Sequence, residues 1–344
     1  MKKSVEGRRV ETMNTKKLMH GLLFVASLGF LLAAPPRLWA ASGTWYGTLD
    51  NVWSTTNNWN STNTVPGTGN TATFNNAGNG QTTLDLGAGV TLKSILFDTV
   101  GAAAYTVGSG AVGSQILTLN DGGGITLNST VASDQLVNAS LTLGTATASA
   151  YTNTQNAVAN TLTFAGGVQG GSGGVGGAKT LTIMGAGTTT ISGLIANGGA
   201  SSVSLSKAGT GTLIVTGPNT YSGNTTAGGG VLRADYGVGL PSATGVLYLN
   251  GGGVLETAGT IARTLGTAAG NVSFSGSGGF AARGGPLGVT FNAGATLNIA
   301  GTGSFVPAYY SLVLGSPSAD NVVTLNNSLD SNANGWWPGD QHRA

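Results

Sequence analysis

Few residues of this chain are placed to do chemistry, and the best-placed set is acidic. Asp235 and Glu256 stand 21 residues apart, with Arg233 beside the first. If the chain winds in coils of about 20 residues, that spacing sets two carboxylates and a cation on neighbouring coils, where a carbohydrate-cleaving acid–base pair would need them. Solvated or turn-capping carboxylates are the plainer reading. Past residue 40 the acids are Asp50, Asp85, Asp98, Asp121, Asp134, Asp235, Glu256, Asp320, Asp330 and Asp340, no two of them closer than ten residues in sequence. Cysteine is absent, and His342 is the one histidine past residue 40. A Ser-His-Asp triad, a Cys-His pair and a histidine-based zinc site are therefore hard to build. No enzyme activity, cofactor or metal is expected.

Two glycine-rich motifs fail on context. Gly108–Gly113 fits the spacing of a dinucleotide fingerprint but leads into an apparent strand, Gln115–Leu119, so no helix N-terminus awaits a phosphate. Gly170–Thr180 approaches a phosphate-binding loop but places Ala178 between the last glycine and Lys179, again ahead of a strand. Trp45, Trp53 and Trp59 form a third candidate: exposed, they could stack on sugar rings; buried, they would close the end of a fold.

Charge separates two regions. The 344 residues carry a formal +2, but residues 41–344 hold seven basic and ten acidic residues, a balance of −3. That part has no basic stripe for phosphates, so nucleic acid is not an expected partner. The basic excess lies in a leader: Lys16-Lys17, an apolar run from Leu22 to Ala34, Pro35-Pro36, then the small-residue boundary Ala40-Ala41. Residues 1–40 read as a secretory signal peptide, whose apolar core is too short for a stable membrane span. Met13 offers a more compact start, with residues 1–12 then an over-long one. Membrane contact is expected only through this transient leader.

The elements that must position these residues are strands. Of 344 residues 60 are glycine, and only 8% are charged. Past Ala41 there is one glutamate, Glu256, and three lysines, Lys93, Lys179 and Lys207, so surface helix formers are nearly absent. Short period-two runs recur instead, among them 116–119, 162–164, 181–183, 203–205, 213–215, 272–274 and 297–299, separated by Gly, Asn, Asp and Ser. Thr-Leu dipeptides open many of them, at spacings loosely near 20, which predicts an all-β, right-handed parallel β-solenoid (β-helix) of about 15 coils and ~70 Å. A β-sandwich is the alternative.

One stretch is more specific than the rest: Leu205-Ser206-Lys207-Ala208-Gly209-Thr210-Gly211-Thr212-Leu213-Ile214-Val215-Thr216-Gly217-Pro218-Asn219-Thr220-Tyr221-Ser222-Gly223-Asn224-Thr225-Thr226, closing on Gly230-Val231-Leu232-Arg233-Ala234. It resembles the autotransporter-associated β-strand repeat, with departures at Val215 and Ala227. Residues 205–234 are the best copy, and weaker echoes lie at 87–97, 185–194 and 292–299. On its own residues the segment reads as a strand from Thr212 to Thr216, Gly209 and Gly211 at its entering corner, a turn at Gly217-Pro218-Asn219, and Tyr221 over the core edge. Asn219 reads as a local turn residue, with a cross-coil amide ladder as the alternative.

These readings divide the chain into the leader, a Trp-containing N-terminal cap with first coils (41–100), solenoid repeats (101–329), and a tail (330–344) with no strand pattern. The Trp-rich opening also resembles that of large secreted proteins built from these repeats. The tail departs from the family, which continues into further repeats, a membrane barrel or a sorting segment; a truncated or frame-shifted piece is the plain explanation. The resemblance implies an exported structural or adhesive protein of the cell surface or outer membrane, with surface polysaccharide or a neighbouring cell as partner. A secreted carbohydrate-binding or carbohydrate-cleaving β-helix is the alternative.

Overall fold

The computed structural model describes residues 42–60, 64–144, 148–171, 177–241, 244–299 and 305–330. The leader, most of the glycine-rich stretch around 172–176 and nearly all of the tail lie outside them. The described chain is a β-solenoid of about nine turns, and its helical content among the described residues is three 3-10 turns of three residues each.

Every strand-to-strand ladder is parallel, as winding in one sense requires. Sheet 1 contains, in stacking order, Thr71–Phe74, Val90–Phe97, Ile116–Leu127, Ser149–Gln155, Lys179–Met184, Val203–Lys207, Thr225–Ala227, Leu247–Leu249 and Val272–Phe274. Sheet 2 holds ten successive strands, from Thr83–Leu84 through Thr161–Phe164, Thr188–Ile191, Thr212–Val215 and Val231–Ala234 to Leu312–Leu314. A short third ladder, bonded to sheet 1, stacks Leu141, Val168 and Ile195 between the two. The alternation seen in sequence becomes inside and outside: along Thr212–Val215, Leu213 and Val215 are buried and the other two half-buried.

Nine steps at ~4.8 Å give a stack of ~43 Å rather than the ~70 Å expected from 15 coils. Coils are longer and less even than the dipeptide spacing implied. Between sheet 2 partners they run from 19 residues, Thr212 to Val231, to 36, Leu287 to Val323. Thr-Leu marks strands on different faces, so the 19-residue separations from Thr142 to Thr161 to Thr180 pass from face to face and fall short of the 27-residue coil from Thr142 to Gln169. The echo at 185–194 does fall in register with the best copy: Thr188 pairs with Thr212, and Ile191 with Val215. The other two do not; residues 90–97 lie in sheet 1 and Leu297–Asn298 in a separate two-stranded sheet.

The interior is built of columns, one residue per coil. One inward column of sheet 1 reads Ala72, Ile95, Ile125, then Asn153, Ile183, Lys207, Ala227, Leu249 and Phe274. Its two polar members, Asn153 and Lys207, are each 1% exposed.

Candidate functional site

The repeat signature occupies one continuous arc of a coil, and its polar members act on the backbone of the coils beside it. Lys207 follows Val203 and Leu205 on the inward side of its strand. Its Nζ donates to the carbonyls of Ala208 (2.7 Å), Gly209 (3.0 Å) and, one coil on, Gly229 (3.2 Å). The ammonium thus satisfies carbonyls turned inward where the chain leaves the strand. Burial pushes its pKa down from the ordinary 10.5 to about 8.

Gly209 and Gly211 sit where coils touch backbone to backbone. Gly209 has φ +70°, and a Cβ there would lie 2.7 Å from the Gly185 nitrogen. Gly211 lacks a positive φ, so its need for glycine is purely steric: a Cβ would stand 2.1 Å from the Gly187 carbonyl oxygen. Gly217 and Gly223 face the same crowding, against the Gly193 and Val203 carbonyls. Between these points Thr212 pairs with Thr188 and Val231, and Leu213 lies in the core.

Asn219 bridges coils instead of merely making a turn. Its Oδ1 accepts the Ile195 N–H (2.6 Å) of the preceding coil, and its Nδ2 donates to the Gly239 carbonyl (2.7 Å) of the next. The side-chain amide continues the third ladder where regular strand stops at Ile195–Ala196, helped by the Thr220 N–H on the Ile195 carbonyl (3.0 Å). Tyr221, 1% exposed, is a core residue rather than an edge cover; its hydroxyl shares a 2.7 Å hydrogen bond with Thr225, and burial pushes its pKa up to about 12.

The acidic constellation separates. Arg233 and Glu256 are register partners on adjacent coils and form an ion pair, whereas Asp235 is exposed at a turn that its carbonyl closes. The Glu256 side chain is fully buried. Its Oε2 accepts from Arg233 Nε, and its Oε1 accepts the hydroxyls of Ser316 (2.9 Å) and Ser318 (2.6 Å). Burial raises its pKa, but the Ser318, Arg233 and Ser316 donors outweigh that and hold it below the usual carboxylate range. Glu256 is thus a saturated anion anchoring residues 316–318 over sheet 2. Under that overhang runs a groove of about 530 Å³ lined by Thr188, Thr210, Thr212, Val231, Val254 and Ser318. None of its lining residues is charged or aromatic.

Trp45, Trp53 and Trp59 are 0%, 3% and 2% exposed, which corrects their reading as a sugar-stacking platform: no ring face is open. Trp59 meets the other two edge-on at 5.1 and 4.7 Å between centroids, above Phe74, which stacks on Phe97 at 5.4 Å. Their indole N–H groups donate to the carbonyls of Gln81, Pro66 and Trp53. Asn58, also buried, holds the loop around them through Asp50 and the Leu49 N–H. This is an end cap.

A second charge cluster, built on a buried lysine, escaped the sequence reading. Opposite the single residue Lys93, the neighbouring strand inserts residues 120–123, a bulge that carries Asp121 outward. Asp121 Oδ1 accepts the Tyr151 hydroxyl (2.6 Å) and lies 3.5 Å from the fully buried Lys179 Nζ. Burial first, then Asp121, pushes the Tyr151 hydroxyl well above its ordinary range. The signal was present: Lys179 alternates with Leu181 and Ile183, which places it on the inward face. The Gly108–Gly113 segment is a turn leading into Ile116–Leu127, with positive φ at Gly108, Gly110 and Gly113. Among the described residues no group of three or more His, Cys, Asp or Glu is placed to hold a metal ion. Comparison with family models, curated proteins and solved structures gave no match.

Proposed function

We propose that the chain is an exported structural or adhesive β-solenoid, a passenger-like fragment of an autotransporter-type cell-surface protein, without enzyme activity. The observation that carries this reading is the use of the signature residues: Lys207, Gly209, Gly211, Asn219 and Tyr221 all act on backbone or core. The most chemically suggestive acid, Glu256, is an anchored anion and so lacks the proton a general acid must give. Export rests on the leader, and contact with surface polysaccharide or a neighbouring cell on the resemblance. No helix among the described residues is long and apolar enough to cross a membrane.

The test is to produce the full chain in a Gram-negative host, fractionate the cells and sequence the N-terminus of exported protein, then incubate it with mixed polysaccharides. The reading expects a mature start at Ala41, attachment without turnover, and no new reducing ends. Retention in the cytosol with the apolar run intact would overturn the export reading. Turnover lost on Asp235→Asn/Glu256→Gln would overturn the scaffold reading.

A further inference from the structure

The two ends of the solenoid are finished differently. At the N-terminal end three buried tryptophans and Phe74 fill the cross-section. At the other end the last strands, Leu312–Leu314, Val323–Leu325 and Leu329–Asp330, have a neighbour on one side only among the described residues. Beside them opens an apolar pocket of about 300 Å³ lined by Ile299, Phe305, Tyr309, Tyr310, Leu312 and Leu329. Much of this lining faces solvent: Ile299 is 44% exposed, Tyr310 52% and Leu329 50%, while Tyr309 is wholly exposed. Tyr309 also stands at φ 70°, a conformation unfavourable for a bulky side chain. Open strand edges with an apolar patch call for cover.

We propose that the chain's own residues 331–344 cover this end, seating Trp336 and Trp337 on the pocket as a second aromatic cap. The placement argues for a cover in cis. The last described strand ends at Asp330, one residue beyond Leu329 in the pocket wall, and fourteen residues (331–344) follow it. Trp336 is six residues past Asp330, a reach of up to ~20 Å in extended chain. The adjacent indoles, followed by Pro338, bring large apolar faces to an uncharged aromatic wall, the same chemistry that closes the other end. This inference does not depend on export or adhesion.

Tryptophan emission tests it. In a Trp39→Phe background five tryptophans remain, of which Trp45, Trp53 and Trp59 are already buried, so acrylamide quenching reads Trp336 and Trp337. The proposal expects slow quenching in the monomeric full chain, comparable with that of a chain ending at Asp330. It also expects a several-fold rise in binding of the apolar dye ANS on Trp336→Ala/Trp337→Ala. Rapid quenching of the full chain, as for free indole, would overturn it. So would unchanged dye binding in the double variant, or a dimer by light scattering that gains dye sites on dilution, which would make a second copy the cover. If the shortened chain fails to fold, the full-chain quenching still decides.

Discussion

Lys207→Met removes a buried ammonium while keeping its apolar stem, and the effect on stability changes with pH. The folded-state pKa near 8 lies below the ordinary 10.5, so between these values the unfolded chain binds more protons than the folded one. Stability from this group therefore rises with pH across that window and is flat below it. The full shift of about 2.5 units corresponds to about 3 kcal/mol, of which about 2 kcal/mol develops between about pH 7 and about pH 9.5. Buried tyrosines act in the opposite sense: Tyr221, with its pKa raised to about 12, loses stability as pH climbs above 10. Working below that range, and subtracting the variant, isolates the lysine. Urea unfolding of both proteins at the two pH values should show the wild type gaining about 2 kcal/mol more than Lys207→Met. At about pH 7 the variant leaves three inward carbonyls without their donor, a loss of about 1–3 kcal/mol. A parallel pH dependence in the two proteins would refute the buried, carbonyl-held ammonium.

Three further substitutions probe the same architecture. Gly211→Val should destabilise by more than about 2 kcal/mol through the clash with Gly187, and Gly209→Val by a similar amount through strain and contact; unchanged urea midpoints for both would remove the corner assignment. Asn219→Ala leaves the Ile195 N–H and the Gly239 carbonyl unsatisfied, with an expected loss of about 2–4 kcal/mol; a loss within error would return Asn219 to a local turn role. Glu256→Gln should loosen residues 316–318, seen as faster amide exchange there. Because its folded pKa is depressed, the wild-type advantage should be complete above the ordinary 4.5 and fade as pH falls through the lower folded value.

What the sequence revealed depended on periodicity and on backbone demands. Period-two runs placed the strands well, because alternation follows directly from the pleat: all seven quoted runs lie in strands apart from Ile299 at the end of the last. Coil length was misjudged because Thr-Leu suits any half-buried strand: Thr91 and Thr118 are partners in sheet 1, but Thr161 lies in sheet 2 and Thr180 back in sheet 1. Buried polar residues were harder. Lys179 and Lys207 occupy inward positions in alternating strands, yet a lysine suggests solvent until its partners are known, and Asp121 reaches Lys179 across an intervening strand only through a bulge in its own. The cross-coil role of Asn219 ranked behind a local turn for the same reason, since neither Ile195 nor Gly239 is near it in sequence. The spacing argument paired Asp235 with Glu256, whereas the register pairs Arg233 with Glu256, and the hydroxyls that saturate Glu256 come from residues 316 and 318, some 60 positions away.

The central claim is that coils stack in a fixed parallel register, and a chain without cysteine lets that register be measured by cross-linking. Thr188 and Thr212 are partners on adjacent coils of sheet 2, and both lie on its half-buried outer side. Parallel neighbours at that spacing are within reach of a disulfide, whereas a one-residue slip turns the second side chain to the other face. Under mild oxidation Thr188→Cys/Thr212→Cys should form an intramolecular disulfide, read by mass spectrometry of the digested monomer, and Thr188→Cys/Leu213→Cys should not. Equal cross-linking of the two pairs, or cross-linking of the slipped pair alone, would contradict the stacked solenoid described above.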